Sequence, residues 1–214
     1  MHNSPTTWYG TTIICVRRNN QVVLAGDGQV TLGNQVIKHS AEKLRTLNND
    51  RVLLGFAGAT ADAMCLYEKL DEKIQKEEKV SKDGSSLEKA VVELAKDWRT
   101  DKILRRYEAM MLVADSRDLF VLTGVGDVLR PEPVGGGEIY AIGSGGTFAL
   151  SAGCALLQNT DLSATEIVEK SMAIAANICI HTNNQLSSLC LTYDDQGEIL
   201  DLKRRTKYVN STNA

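Results

Sequence analysis

At 214 residues the chain is long enough for one well-buried core and reads as a single domain, and 24 Lys+Arg against 27 Asp+Glu leave no basic field to draw it onto nucleic acid or an anionic membrane. The five cysteines, Cys15, Cys65, Cys154, Cys179 and Cys190, are odd in number and form no CxxC pair, which points to reduced thiols in a reducing compartment and away from disulfide frameworks and zinc. No run of about 18 apolar residues occurs, so a membrane-spanning helix is excluded on length, and "MHNSPTTWYG" lacks the basic and apolar regions of a secretory signal.

In chain order, "TTIICVRR" and "QVVLAGDG" flank Asn19-Asn20 and predict a hairpin. A second pair of strands is expected around Val36 to Leu47 and over "RVLLGFAG", separated by "NND". Ala63, Tyr67, Leu70 and Ile74 then recur on one face of a helix in "TADAMCLYEKLDEKIQ", and "KEEKVSKDG" reads as a solvated connection. A Ser85-to-Glu88 capping box opens a second helix carrying Ala90, Val91, Leu94, Trp98 and Leu104. Strands return in "AMMLVAD", "DLFVLTG" and "EIYAIGSGG", followed by helices over "TFALSAGCALLQN" and, capped by Ser163 and Glu166, over "EIVEKSMAIAANICI". "SLCLTYDD" is the last strand signal, and the basic "LKRRTKYVNSTNA" reads as a loose tail. Strands alternating with paired helices suit a layered α+β sandwich better than a strictly alternating parallel fold.

Several chemistries fail on spacing. "GSGGTF" puts Phe148 where a dinucleotide fingerprint needs its third glycine, no Walker motif occurs, and Ser144 has Ile142 where a GxSxG elbow needs glycine. His2, His39 and His181 sit in no metal spacing or triad, and Cys179 lies in an apolar helical pattern that suits a core position. Thr11, in "GTT" at the head of an apolar strand, offers a chemistry that needs no histidine. A threonine hydroxyl is a poor nucleophile until a base takes its proton, and an N-terminal threonine carries that base as its own α-amine, with a pKa of about 7.7–8.0. A nearby lysine would lower that value further, and a cut after Gly10 would free the amine. On its own, "GTT" is a weak signal that reads first as a plain strand start.

Taken in order, "TTIICVRR", "AGDGQVTLGN", "GFAGATADA", "AVVELAKDWRTDK", "LRRYEAMMLVAD", "GVGDV", "AIGSGGTFALSA" and "LSATEIVEKSMAIAANICIHTN" closely resemble the proteasome-like peptidases of the N-terminal-nucleophile hydrolase superfamily. The resemblance implies the four-layer αββα sandwich of that superfamily, an α+β fold. It also implies residues 1–10 as a leader removed on maturation, 11–192 as the peptidase domain and 193–214 as a polar tail.

By the same resemblance Thr11 is the nucleophile, and Thr12 points to the opposite face of the strand. Lys43 polarises the site, Asp27 holds Lys43, Ser144 orders the threonine amine, and the backbone N–H of Gly58 stabilises the oxyanion. Without the family match, Lys43 would read as a surface lysine and Asp27 as a turn residue. Main-chain carbonyls of Ala176, Cys179 and Thr182 are implied ligands of a monovalent cation such as Na+, and no cofactor enters the chemistry. The partners implied are eleven further copies in two stacked hexameric rings, an AAA+ ATPase unfoldase and unfolded polypeptides, in the cytoplasm or, for a eukaryotic source, the mitochondrial matrix. A non-catalytic scaffold of the same fold is the alternative, against which the joint presence of Thr11, Asp27, Lys43 and Ser144 argues. The chain departs from the family pattern at Ala59 and Ala176, which are often glycine, in a longer connection around "KEEKVSKDGSS", in the "PVGGG" loop and in an extended tail.

Overall fold

Apolar runs such as "TIICV" and "VVLA" are uninterrupted because both faces of their strands are buried. The computed structural model describes residues 8–9, 11–33, 35–80, 86–107 and 109–209. The chain opens with β1 (Trp8–Tyr9), then the hairpin β2 (Thr12–Arg18) and β3 (Gln21–Asp27), then β4 (Val30–Leu32), β5 (Gln35–Lys38), β6 (Leu44–Leu47) and β7 (Val52–Gly58). Helices α1 (Thr60–Val80) and α2 (Ser86–Thr100) precede β8 (Ala109–Ala114), β9 (Leu119–Thr123), β10 (Val128–Leu129) and β11 (Glu138–Gly143). Helices α3 (Gly146–Asn159) and α4 (Ala164–Ile178) lead to the final hairpin, β12 (Gln185–Tyr193) and β13 (Ile199–Tyr208).

Two antiparallel sheets, ordered β11-β2-β3-β12-β13 and β10-β9-β8-β7-β6, stack face to face. The strand period of two sorts the core. Ile13, Cys15, Val22 and Leu24 of the first sheet meet Leu53, Leu112 and Val121 of the second, whereas Ile14, Val16, Val23 and Ala25 face α3 and α4. On the far side, Leu54, Phe56, Met111 and Phe120 pack on Leu66, Leu70, Leu94 and Trp98 of α1 and α2. Three cores between four layers make the αββα sandwich. Burial pushes the Cys15 thiol up to about 12, so it stays protonated as core filling.

Three expectations need correction. The strand expected from Val36 to Leu47 is two strands in different sheets: β5 joins β4 and β1 in a small ribbon, with Trp8 opposite Leu32 and Tyr9 opposite Thr31, and β6 edges the second sheet. The charged "KEEKV" is the end of α1, where Lys73 and Lys76 pair with Glu93 and Asp97 of α2 instead of marking a connection. Ser85, the expected cap of α2, lies outside the described residues, and Leu104 sits in a 3-10 turn after that helix.

A fourth correction concerns the tail. Residues 199–208 are not loose but form β13, paired along the whole of β12. Its side chains are almost all exposed, so no apolar alternation announces it; the backbone ladder and the turn Asp194–Gly197 hold it. Asp194 Oδ1 accepts the N–H groups of Gln196 and Glu198, and Gly197 takes a φ of 86° that a side chain would oppose. Lys203, Arg204, Arg205 and Lys207 fit the charged edge that discourages strand-to-strand aggregation. Deleting residues 198–214 uncovers the outer edge of β12, so the melting temperature should fall by about 5 °C or more and self-association should appear in light scattering. A truncated protein that melts with the full chain would show that β13 contributes no stability.

Candidate active site

Strand register carries the expected catalytic residues to one end of the sandwich. In the interior strand β2, Thr12 stands opposite Gly143 of β11, and Ile13 opposite Gly26 of β3. Ser144 therefore follows on one side of Thr11, and Asp27 ends β3 on the other. In the second sheet β6 and β7 pair with Leu44 opposite Gly55, which puts Lys43 at the head of β6 beside Phe56, two residues before Gly58. An ion pair of 2.8 Å between Lys43 Nζ and Asp27 Oδ1 then ties the sheets together at that end.

The peptide unit between Thr11 and Thr12 is held at both ends. The Ser144 N–H donates to the Thr11 carbonyl at 2.8 Å, and the Thr12 N–H donates to Asp27 Oδ1 at 2.8 Å. Gly143 has a φ of 89°, and a side chain there would run into the Thr11 carbonyl and touch Ala57, so only glycine lets these strands approach. Thr11 is buried, while Ser144 and Gly58 are exposed at the mouth. Thr12 is fully buried; its hydroxyl turns inward to Thr182 Oγ1 at 2.7 Å and accepts the Gly145 N–H at 3.0 Å.

Asp27 is nearly inaccessible and is met by four donors. Oδ1 takes Lys43 and Thr12, and Oδ2 takes the N–H groups of Gln29 at 2.9 Å and Asn183 at 3.3 Å. Lys43 Nζ also donates to the Gln29 carbonyl at 2.6 Å. Burial pushes the Lys43 ammonium below its ordinary value, and the Asp27 carboxylate pushes the other way without restoring it. A buried ion pair contributes little net stability once desolvation is counted, so two buried charges bonded to the residue after Thr11 point to chemistry.

Sequence reasoning missed two residues that shape this charge pair. The buried Gln29 carboxamide donates to Thr31 Oγ1 and to the Ile180 carbonyl, which fixes the turn whose main-chain oxygen receives Lys43. Asn183 accepts from the N–H groups of Gly28 and Gln185 and donates to the His39 carbonyl, knitting the ends of β3, β5 and β12. The glycines around "GDGQ" and the polar "HTNNQ" were the available signals, but neither names its partner.

Ala176, Cys179 and Thr182 lie together in the last turn of α4 and the turn after it. The Cys179 N–H donates to the Ala175 carbonyl at 2.8 Å, and the Thr182 N–H to the Cys179 carbonyl at 3.0 Å. The carbonyls of Ala176 and Cys179 lie at the C-terminal, negative end of α4, and main-chain oxygens are the kind of ligand a hard monovalent cation takes. Among the described residues no group of three or more His, Cys, Asp and Glu is placed to hold a metal ion.

A family model described as proteasome subunit matches residues 8–189. Among solved structures, the crystal structure of eukaryotic HslV from Trypanosoma brucei is 45% identical and has a TM-score of 0.78, with the match covering 85% of this chain and 99% of that one.

Proposed function

The chain belongs to the proteasome subunit family, in its HslV type, and on that premise we propose that it is the proteolytic subunit of an ATP-dependent protease, cutting unfolded polypeptides with the hydroxyl of Thr11. The observation that carries this reading is the buried Lys43–Asp27 pair, bonded through Asp27 to the amide of the residue after Thr11.

Loss of residues 1–10 turns the Thr11 nitrogen from an amide into an amine. The Thr11 hydroxyl then attacks the scissile carbonyl while the amine takes its proton. The Gly58 N–H stabilises the oxyanion, a contribution of about 3 kcal/mol in comparable sites. The C–N bond breaks, the amine returns the proton to the leaving nitrogen, and water hydrolyses the remaining ester. Lys43 keeps the amine unprotonated near neutral pH by like-charge repulsion, Asp27 holds Lys43, and Ser144 orders the amine. In the uncut chain Trp8 and Tyr9, just ahead of the bond to be cut, pair antiparallel with β4. Once they leave, the same edge can pair with the residues that precede a substrate's scissile bond.

Two stacked hexameric rings would keep this nucleophile from folded cellular protein, and an AAA+ unfoldase, HslU, would feed it extended chains. A monovalent cation on the carbonyls of Ala176, Cys179 and Thr182 would neutralise the negative end of α4 beside the site. No cofactor takes part in the chemistry. A peptide epoxyketone, which reacts with both hydroxyl and amine of an N-terminal threonine, tests the assignment. It should abolish peptide hydrolysis and add one inhibitor mass to the fragment beginning at Thr11. Hydrolysis that survives full exposure to the reagent would overturn the proposal.

A further inference from the structure

The hydroxyls of Thr12 and Thr182 have no part in the reaction above, yet they meet at 2.7 Å across 170 residues of chain in a buried spot. Both side chains have a shape that valine would fill as well. Two threonines facing each other inside a core need a reason, because a buried hydroxyl without a partner is costly and a valine is not.

Three elements converge on the pair. Thr12 is the first residue of β2, Gly145 is the N-cap of α3, and Thr182 follows the turn that ends α4. The Gly145 N–H donates to Thr12 Oγ1 at 3.0 Å, and a Cβ on Gly145 would collide with both hydroxyls and touch Cys179. The close approach thus needs glycine at 145 and hydroxyls at 12 and 182 together. It acts on the residue next to Thr11, whose peptide is already fixed through its carbonyl by Ser144 and through its N–H by Asp27. Those two bonds hold the peptide plane. The hydroxyl pair adds a third anchor on the Thr12 side chain, which stops the head of β2 from sliding or rolling.

We infer that Thr12 and Thr182 are positioning residues for the nucleophile: their hydroxyl pair, with the Gly145 N–H, sets where Thr11 sits against the oxyanion donor and the substrate carbonyl. This rests on the reading of Thr11 as nucleophile. Attack geometry is steep, and a displacement of about 1 Å can cost about a hundredfold in rate. Substrate lies on other groups, so its binding is left alone. A pair that merely filled the core would affect melting and leave turnover per site as it was.

The test uses protein expressed from the full sequence, then matured and assembled, with the fraction cut at Thr11 read by intact mass and active sites counted by epoxyketone labelling. Thr12→Val and Thr182→Val should each lower kcat per labelled site about 10- to 100-fold with KM within about twofold of wild type. Thr12→Ser and Thr182→Ser, which keep the hydroxyl, should recover most of the loss. If a valine protein fails to fold, Thr182→Ala removes the hydroxyl without adding volume and takes its place. Wild-type kcat per site in the hydroxyl-free variants would overturn the inference, as would serine variants as slow as the valine ones, since methyl packing would then carry the effect. Thr11→Ala in the same assay separates the two claims. If it is inactive while Thr182→Val runs at full rate, only the positioning role falls; if Thr11→Ala turns over peptide, the nucleophile itself is wrong.

Discussion

Thr11→Ala should leave a folded, assembled protein that hydrolyses no peptide, with kcat/KM down by at least about 10⁴-fold, because the substitution removes the attacking oxygen. Only one small buried side chain is shortened, so the melting temperature should stay within about 3 °C of wild type. The same variant should retain residues 1–10, since cutting after Gly10 uses that same hydroxyl. Thr11→Ser keeps an oxygen in place and should retain part of both activities. A Thr11→Ala protein that digests peptide would move the nucleophile elsewhere.

Lys43→Ala should cost about 10²-fold or more in kcat/KM at neutral pH and move the acid limb of the profile upward. The sign follows from charge. With the Lys43 ammonium gone, protonating the Thr11 amine is easier, its pKa rises, and more of the base is lost at any given pH below the limb. Activity should therefore recover in part as pH increases, which simple misfolding would not produce.

The stability effect has two opposed parts. Burial holds the Lys43 ammonium below its ordinary 10.5 in the fold, so the unfolded chain binds that proton more tightly. The stability tied to this residue rises as pH climbs from the folded value towards 10.5, and at neutral pH the buried charge is a cost. Removing it relieves that cost but strips Asp27 of its cation. The N–H groups of Thr12, Gln29 and Asn183 still satisfy the carboxylate, so the variant should fold. Unchanged turnover and an unchanged acid limb in an intact particle would remove Lys43 from the mechanism.

Much of the layered fold was legible because its strands announce themselves. "TIICV" and "VVLA" are apolar at consecutive positions, and Asn19-Asn20 supplies the positive φ of a tight hairpin, 51° and 57°. Helix α2 declared itself through Ala90, Val91, Leu94 and Trp98, all buried. What escaped was structure held by backbone alone or by charge. Strand β13 buries almost nothing, and the end of α1 is a charged surface whose Lys73 and Lys76 find their partners on α2.

The site divides the same way. Thr11 could be suspected from "GTT" alone, but Asp27, Lys43, Gly58 and Ser144 could be named only through the family resemblance, because no spacing in the sequence says that residues 11, 27, 43 and 144 meet. Their meeting depends on non-local register: Thr12 against Gly143, Ile13 against Gly26, Leu44 against Gly55. Gln29, Asn183 and the Thr12–Thr182 pair escaped for a related reason. Their roles are hydrogen bonds across as many as 170 residues, and a polar residue shows no periodicity from which a distant partner can be inferred.

The most direct measurement is the N-terminal sequence of turnover-competent protein, read with the intact mass of the same sample. The amine of Thr11 can serve as base only when the bond to Gly10 is gone, so the active chain should begin Thr-Thr-Ile-Ile, and activity should rise in proportion to the fraction cut. A methionine aminopeptidase acting alone would leave the chain starting near residue 2, which cannot produce that terminus. Fully active protein that still carries Trp8-Tyr9-Gly10 would contradict the N-terminal threonine mechanism.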